Sequence, residues 1–300
     1  MTYVTGTLSN AAPASTFLSI IDATITAETG LTKVSSAIVV GTNTWNVYKS
    51  AAANNSFGQD FHFAIGYPTA TPTTLLMTVF EGWNTGTLLA TNYPPNATVT
   101  PNGSFANPGA ALALPSTGTT MGYLQSIALT TSCSYYYSVT PDRVIFSMLT
   151  STPTNLGFYI GLYDSFNTTA IDPFPLCIVN LTVTAITVAT SAVSTASGFS
   201  TRELGAAVSN TNNFCTMAGG AAVSAWTRAE LATDYYKGFN YLSRVLLTGK
   251  LTAFRGLLKD IYLGPLQTQN GDTVTWTLAG SPKTAVRASA GTYGVYFLTI

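Results

Sequence analysis

Charge is what this chain has least of. Of its 300 residues, 12 are Lys or Arg and 12 are Asp or Glu, 8% in all, against about a quarter in an average soluble chain. The formal net charge is zero. Mutual repulsion normally keeps free monomers dispersed, so a surface this poor in charge gives little protection against self-association. It suits a subunit that neighbours cover.

Histidine is nearly missing too, with His62 the single example, and cysteine is limited to Cys133, Cys177 and Cys215. One imidazole, three scattered thiols and no Asp-rich loop leave no recognisable ligand set, so no metal is expected. The odd, widely spaced cysteines fit neither a CxxC site nor a disulfide framework, and free thiols of a reducing cytoplasm are expected. No Lys or Arg precedes Lys33, which leaves the start without the basic region of a secretory signal. Long apolar runs are absent: Ala110–Leu114 and Tyr293–Leu298 fall far short of the roughly 20 residues a membrane helix needs. Glycosylation triplets at Asn96, Asn102, Asn167 and Asn180 carry no weight in a Thr/Ser/Asn-rich chain without a leader.

What is present argues for a folded β protein. Hydrophobic residues make up 46% and aromatics 12%, too much apolar surface for disorder. Short runs rich in Val, Ile, Thr, Tyr and Phe predict strands at 36–40, 45–49, 60–66, 75–81, 135–139, 143–148, 157–163 and 177–188. Pro- and Asn-containing loops such as Tyr67–Thr73, Asn92–Asn96 and Ala106–Gly109 separate them. Helical periodicity is nearly absent from the first 200 residues. Further on, Leu231, Tyr235, Phe239, Leu242 and Leu246 have helical spacing, while Phe239, Tyr241, Ser243, Val245 and Leu247 fit a strand equally well. Asn270-Gly271 is a hairpin signal ahead of strands at 273–278 and 294–300. The expected architecture is mainly β: a β-sandwich or jelly-roll-like domain over 1–190, then a smaller β-rich assembly domain over 191–300 with room for a short helix.

Catalytic candidates are few. Asp60 and His62 would share a strand face, but no G-x-S-x-G elbow offers a nucleophile, and a hydrogen-bonded structural histidine is the stronger reading. Glu81, Asp164 and Asp172 sit near strand ends, where turn capping competes with any glycosidase role. Gly219-Gly220 lacks the Lys-Ser/Thr of a phosphate loop. Lys237, Arg244, Lys250, Arg255 and Lys259 are interleaved with aromatics, a pattern that nucleic-acid surfaces share, yet intervening acids favour a protein partner. No catalytic, cofactor or metal residues are therefore assigned, and no small-molecule ligand is expected.

Charge sign divides the chain. Residues 1–201 hold three basic and seven acidic residues, and 202–300 hold nine basic and five acidic. Such complementarity would allow one subunit's C-terminal part to dock on the next subunit's N-terminal part, a heterologous contact that builds rings.

Three segments carry a family resemblance: Asp142-Arg-Val, Gly157-Phe-Tyr-Ile-Gly-Leu-Tyr-Asp-Ser-Phe166 with Asp172-Pro-Phe-Pro-Leu176, and Phe254-Arg-Gly-Leu-Leu-Lys-Asp-Ile-Tyr-Leu-Gly-Pro265. They resemble virion structural proteins of tailed bacteriophages over about a third of the chain. The resemblance implies a non-enzymatic tail, baseplate or neck subunit. It would be made in the host cytoplasm, carried in the virion, and partnered by its own copies and other virion proteins. A host-receptor-binding adhesin or tail fibre, with aromatics as sugar platforms, is the alternative, followed by a polysaccharide-degrading enzyme.

Overall fold

In the computed structural model the described residues are 2–9, 14–70, 74–91, 111–114, 116, 125–128, 133–150, 155–166, 175–180, 199–201, 216–217, 243–248, 254–264, 273–278, 281–287 and 294–298. The chain starts with strand β1 (Thr2–Leu8) and helix α1 (Ala14–Ala27), the one helix among these residues. Then come β2 (Leu31–Val40), β3 (Asn43–Ser50), β4 (Phe61–Pro68), β5 (Thr74–Phe80), β6 (Gly82–Asn84), β7 (Leu89–Thr91), β8 (Ala111–Ala113) and β9 (Gln125–Ala128). The middle holds β10 (Cys133–Thr140), β11 (Arg143–Thr150), β12 (Asn155–Leu162), β13 (Asp164–Ser165), β14 (Leu176–Asn180) and β15 (Phe199–Thr201). The last part holds β16 (Thr216–Met217), β17 (Ser243–Thr248), β18 (Phe254–Gly264), β19 (Thr273–Leu278), β20 (Ser281–Arg287) and β21 (Gly294–Leu298).

These strands form four antiparallel sheets. One runs β1-β10-β11-β12-β14-β15, a second β2-β3-β4-β5-β9, a third β6-β7-β8, and a fourth β16-β17-β18-β21-β20-β19 with β13 added to β18. The expectation of a mainly β chain holds, and the predicted strands from 36–40 to 157–163 fall on β2, β3, β4, β5, β10, β11 and β12. The eighth, 177–188, is β14 as far as Asn180, and 181–188 lie outside the described residues.

Side-chain alternation explains the layers. On β4 and β5, Phe61, Phe63, Ile65, Leu75, Met77 and Val79 enter one core, while Ala64, Leu76 and Phe80 enter another on the opposite face. The first core is shared with α1 and with Tyr137, Phe146 and Phe158, which stand side by side on β10, β11 and β12. The second is closed by Ala90 and Leu114 around the small β7 sheet, with Trp83 against it.

Helix α1 departs from the expectation that helical periodicity is nearly absent early in the chain. Phe17, Leu18, Ile21 and Ile25 form its buried stripe, and Thr24 shares a 2.7 Å hydrogen bond with the Tyr137 hydroxyl. Its Ser, Thr and Ile residues have indifferent propensity, so burial between two sheets decides the conformation. The stretch with helical spacing from Leu231 to Leu246 lies mostly outside the described residues, and its last part, from Ser243, is strand β17. Asn270-Gly271 also lies outside them. The strands on either side of it do not pair: β18 pairs with β17, β13 and β21, and β19 pairs with β20.

The β10 sheet is buried on its other face as well. Arg143, Ile145 and Ser147 of β11 and Tyr159 of β12 point away from the first core, yet each is at most 2% exposed. Strand β18 lies against this face, where Asp260 meets Arg143 and the Lys259 amide donates to the Tyr159 hydroxyl. Strand pairing also crosses residue 190 twice, because β13 joins β18 and β15 joins β14.

Candidate functional site

Charged residues of the resemblance segments, Asp142, Arg143, Asp164, Lys259 and Asp260, meet in one partly buried ion cluster. Pro141 and Asp142 form the two-residue connection between β10 and β11, with proline fixing φ at its first position. Directly after it, Arg143 is 1% exposed. Its Nε and Nη2 reach Asp260 Oδ2 at 2.9 and 2.8 Å, and its Nη1 donates to the Ser138 carbonyl and hydroxyl at 3.1 and 3.0 Å. A buried guanidinium is tolerated only when its charge and donors are matched in this way.

One residue earlier on β18, the Lys259 ammonium sits between two carboxylates, 3.0 Å from Asp142 and 2.9 Å from Asp164, and donates to Ser56 Oγ at 2.7 Å. Asp142 spends its other oxygen on the Ser56 amide at 2.6 Å. Ser56 belongs to the β3–β4 loop, which buried Asn55 organises by accepting from the Phe57 and Gly58 amides and donating to Ser50, Ala51 and Gln59. Ser50 in turn donates to the Pro141 carbonyl at 2.6 Å. The cluster therefore ties a loop of the β4 sheet, a turn of the β10 sheet and the centre of the β18 sheet together.

Backbone geometry makes this approach possible. Asp260 adopts φ +58, a left-handed conformation that Asp tolerates better than most residues, and the turn it creates separates the part of β18 paired with β13 from the part paired with β21. Gly161 has φ +139, and a Cβ there would strike the Asp142 carbonyl and the Arg143 backbone. The Leu162 amide can thus donate to Asp142 O at 2.8 Å.

Burial pulls the Lys259 ammonium's pKa down, but the hydrogen bonds and charges of Asp164 and Asp142 outweigh it and leave the group raised. Burial, with Cys177 and Asp260 nearby, pushes the Tyr159 phenol well above its usual range, and its hydroxyl donates to the Leu162 carbonyl. Neither group is poised for proton transfer near neutral pH. The arrangement is chemically a clamp.

The other candidates are equally occupied. His62 Nδ1 lies 2.9 Å from the Glu81 carbonyl, and its ring stacks on Phe80 at 6.0 Å. Burial and the Lys49 charge lower its pKa against the opposing pull of the Glu81 carbonyl and Asp60. Asp60 pairs with Lys49 at 2.5 Å and accepts the Ala52 amide at 2.8 Å, which holds its pKa low. On helix α1, Asp22 bridges Lys33 at 2.9 Å and the Tyr48 hydroxyl at 2.7 Å. Burial first, then that carboxylate, drives the Tyr48 phenol far up.

Of the three carboxylates expected near strand ends, Asp164 belongs to the clamp, Glu81 follows β5 and meets His62 through its carbonyl, and Asp172 lies outside the described residues. Cys133 and Cys177 are buried and form no disulfide, and Cys215 lies outside. Lys237, Lys250 and Gly219-Gly220 also lie outside, while Arg244 and Arg255 are placed on β17 and β18. Among the described residues no group of three or more His, Cys, Asp or Glu could hold a metal ion, and no helix is long and apolar enough to cross a membrane.

Sequence reasoning missed Arg143 and Asp260 as partners, 117 positions apart. The available signal was scarcity: in a chain with 12 basic residues, an Asp-Arg pair beside a Val-Ile-Phe run and a Lys-Asp pair inside an apolar strand each require a buried counterpart. Compared with known proteins, the chain matches no family model and no curated protein.

Proposed function

We propose that this chain is a structural subunit of a tailed-bacteriophage particle, a repeated, non-enzymatic building block of the tail, baseplate or neck. One observation carries the reading. Among the described residues, nine of the scarce charges are paired with one another within the chain: Asp22 with Lys33, Lys49 with Asp60, Arg143 with Asp260, and Lys259 with Asp142 and Asp164. Pairing of this kind leaves still less free charge in a chain that is only 8% charged, and a low-charge surface favours contact with copies and neighbours over dispersal.

The phage assignment itself draws on the resemblance of the Asp142, Gly157–Phe166 and Phe254–Pro265 segments. Ion pairs that neutralise Asp60 and Asp164, and a histidine held neutral, favour a building block over a hydrolase. The docking imagined between the acidic N-terminal part and the basic C-terminal part of successive subunits is met, at Lys259, Asp142 and Asp164, within one chain.

Sedimentation of the purified chain over a wide concentration range tests the assembly part, and self-association is expected. Antibody labelling of tailed particles in the electron microscope tests the location. A dilute monomer that stays monomeric on concentration, or particles that carry no label, would sink the proposal.

A further inference from the structure

The sheet edges of this molecule are not equally guarded. Exposed backbone donors and acceptors on an edge strand template pairing with another chain, and proteins blunt them with short strands, bulges, proline or charge. Among the described residues, β9, β15 and β16 are edges of only four, three and two residues. Strand β2 is long, but its pairing with β3 shifts register twice, Ala37 takes a left-handed φ of +52, and Lys33 stands on it. Strand β1 has a glycine, Gly6, in its interior and starts beside a carboxylate, with Thr2 donating to Glu28.

Strand β19 has none of these devices. Thr-Val-Thr-Trp-Thr-Leu carries no charge, proline or glycine, and pairs with β20 through six consecutive residues without a bulge. No described strand pairs with its outer edge. Thr273 and Thr275 are exposed and Val274 between them is buried, and along a strand positions 273, 275 and 277 share one face while 274, 276 and 278 share the other.

That alternation is self-complementary. In an antiparallel pair of two copies centred on Thr275, threonine stands opposite threonine on one face, and position 274 stands opposite position 276 on the other. Both are favourable cross-strand combinations. An isologous contact brings a charge that lies close to the two-fold axis near its own image, and a strand with no charge pays no such repulsion.

We propose that β19 is a homotypic docking strand, pairing antiparallel with β19 of a second copy about a two-fold axis, so that two β18-type sheets become one continuous sheet. The inference deepens the assembly reading by naming one of its contacts.

The test is sedimentation of the full chain beside Thr275→Lys, Thr275→Glu and Thr5→Lys, with circular dichroism confirming the fold. Each Thr275 substitution places like charges opposite each other and is expected to weaken association by about tenfold. An equal mixture of the Lys and Glu variants is expected to restore it, and Thr5→Lys on β1 is expected to leave it unchanged. Should the charged variants not fold, Thr275→Cys treated with oxidised glutathione, which takes up the two electrons and two protons, is expected to form an intermolecular disulfide faster than Thr5→Cys.

If the wild-type chain associates and the Thr275 variants associate equally well, or the mixture is no better than either variant alone, the docking strand is wrong and the assembly reading stands. A response confined to position 5 overturns it in favour of β1. A wild-type chain that is monomeric throughout overturns both.

Discussion

Arg143 is the residue on which the chain concentrates most electrostatic risk. Removing its partner's charge while keeping the left-handed backbone, as Asp260→Asn does, leaves a buried guanidinium short of a counterion. The expected loss is about 3 kcal/mol of unfolding free energy, at the low end for a broken buried pair because Asp260 keeps some solvent contact. Denaturant titration reads it directly. Replacing Arg143 and Asp260 together by Met and Asn should cost less than the sum of the single changes, since neither charge is then stranded. At His62 the prediction concerns pH. Its folded pKa is lowered, chiefly by burial, so the folded state resists protonation that the unfolded state accepts. The sign follows: the histidine's contribution is intact above the unfolded value of about 6.5 and is lost as pH falls from there through the folded value. As the only histidine, it gives a single imidazole titration by NMR, with a midpoint expected below the unfolded value, and His62→Gln should flatten the acid limb of the stability curve.

Among the elements, β18 has the most demanding position, since two strands from distant parts of the sequence share one of its edges on either side of the Asp260 turn. Gly256 allows this: a Cβ there would meet the Asp164 carbonyl, so Gly256→Val should detach β13 from β18. Proteolysis near residues 164–166 is the expected readout, with Phe166, already 55% exposed, as a susceptible bond. The strands themselves were largely legible because Val, Ile, Thr, Tyr and Phe cluster between proline- and asparagine-bearing loops. Helix α1 was not, because its stripe of Phe17, Leu18, Ile21 and Ile25 is set among threonines and serines that favour no conformation strongly, and only the sheets around it select the helix. The clamp was legible only as residues of note. Asp142, Arg143, Lys259 and Asp260 stand out in so uncharged a chain, but which acid meets which base depends on how β18 crosses the β10 sheet, and no local pattern encodes that crossing.

For the whole molecule, the layers make the two ends of the sequence depend on one another. A fragment of residues 1–190 would lose β18 and expose Ile145, Tyr159 and an unpaired Arg143 on the outer face of the β10 sheet. It should be recovered insoluble, or bind a hydrophobic dye strongly, where the full chain does not. Association of the full chain, if its contacts are uncharged as its composition implies, should persist or strengthen when salt is raised, since screening acts only on charges. The placement of β11 between two cores reaches further, into which sequences this fold can accept. An ordinary sheet strand tolerates substitution at every second position, where the side chain faces water. From Arg143 to Met148 every side chain is buried, so a complete substitution scan should find no alternation there. It should find instead six consecutive intolerant sites, a short stretch of sequence that drift can scarcely alter while the rest of the chain diverges.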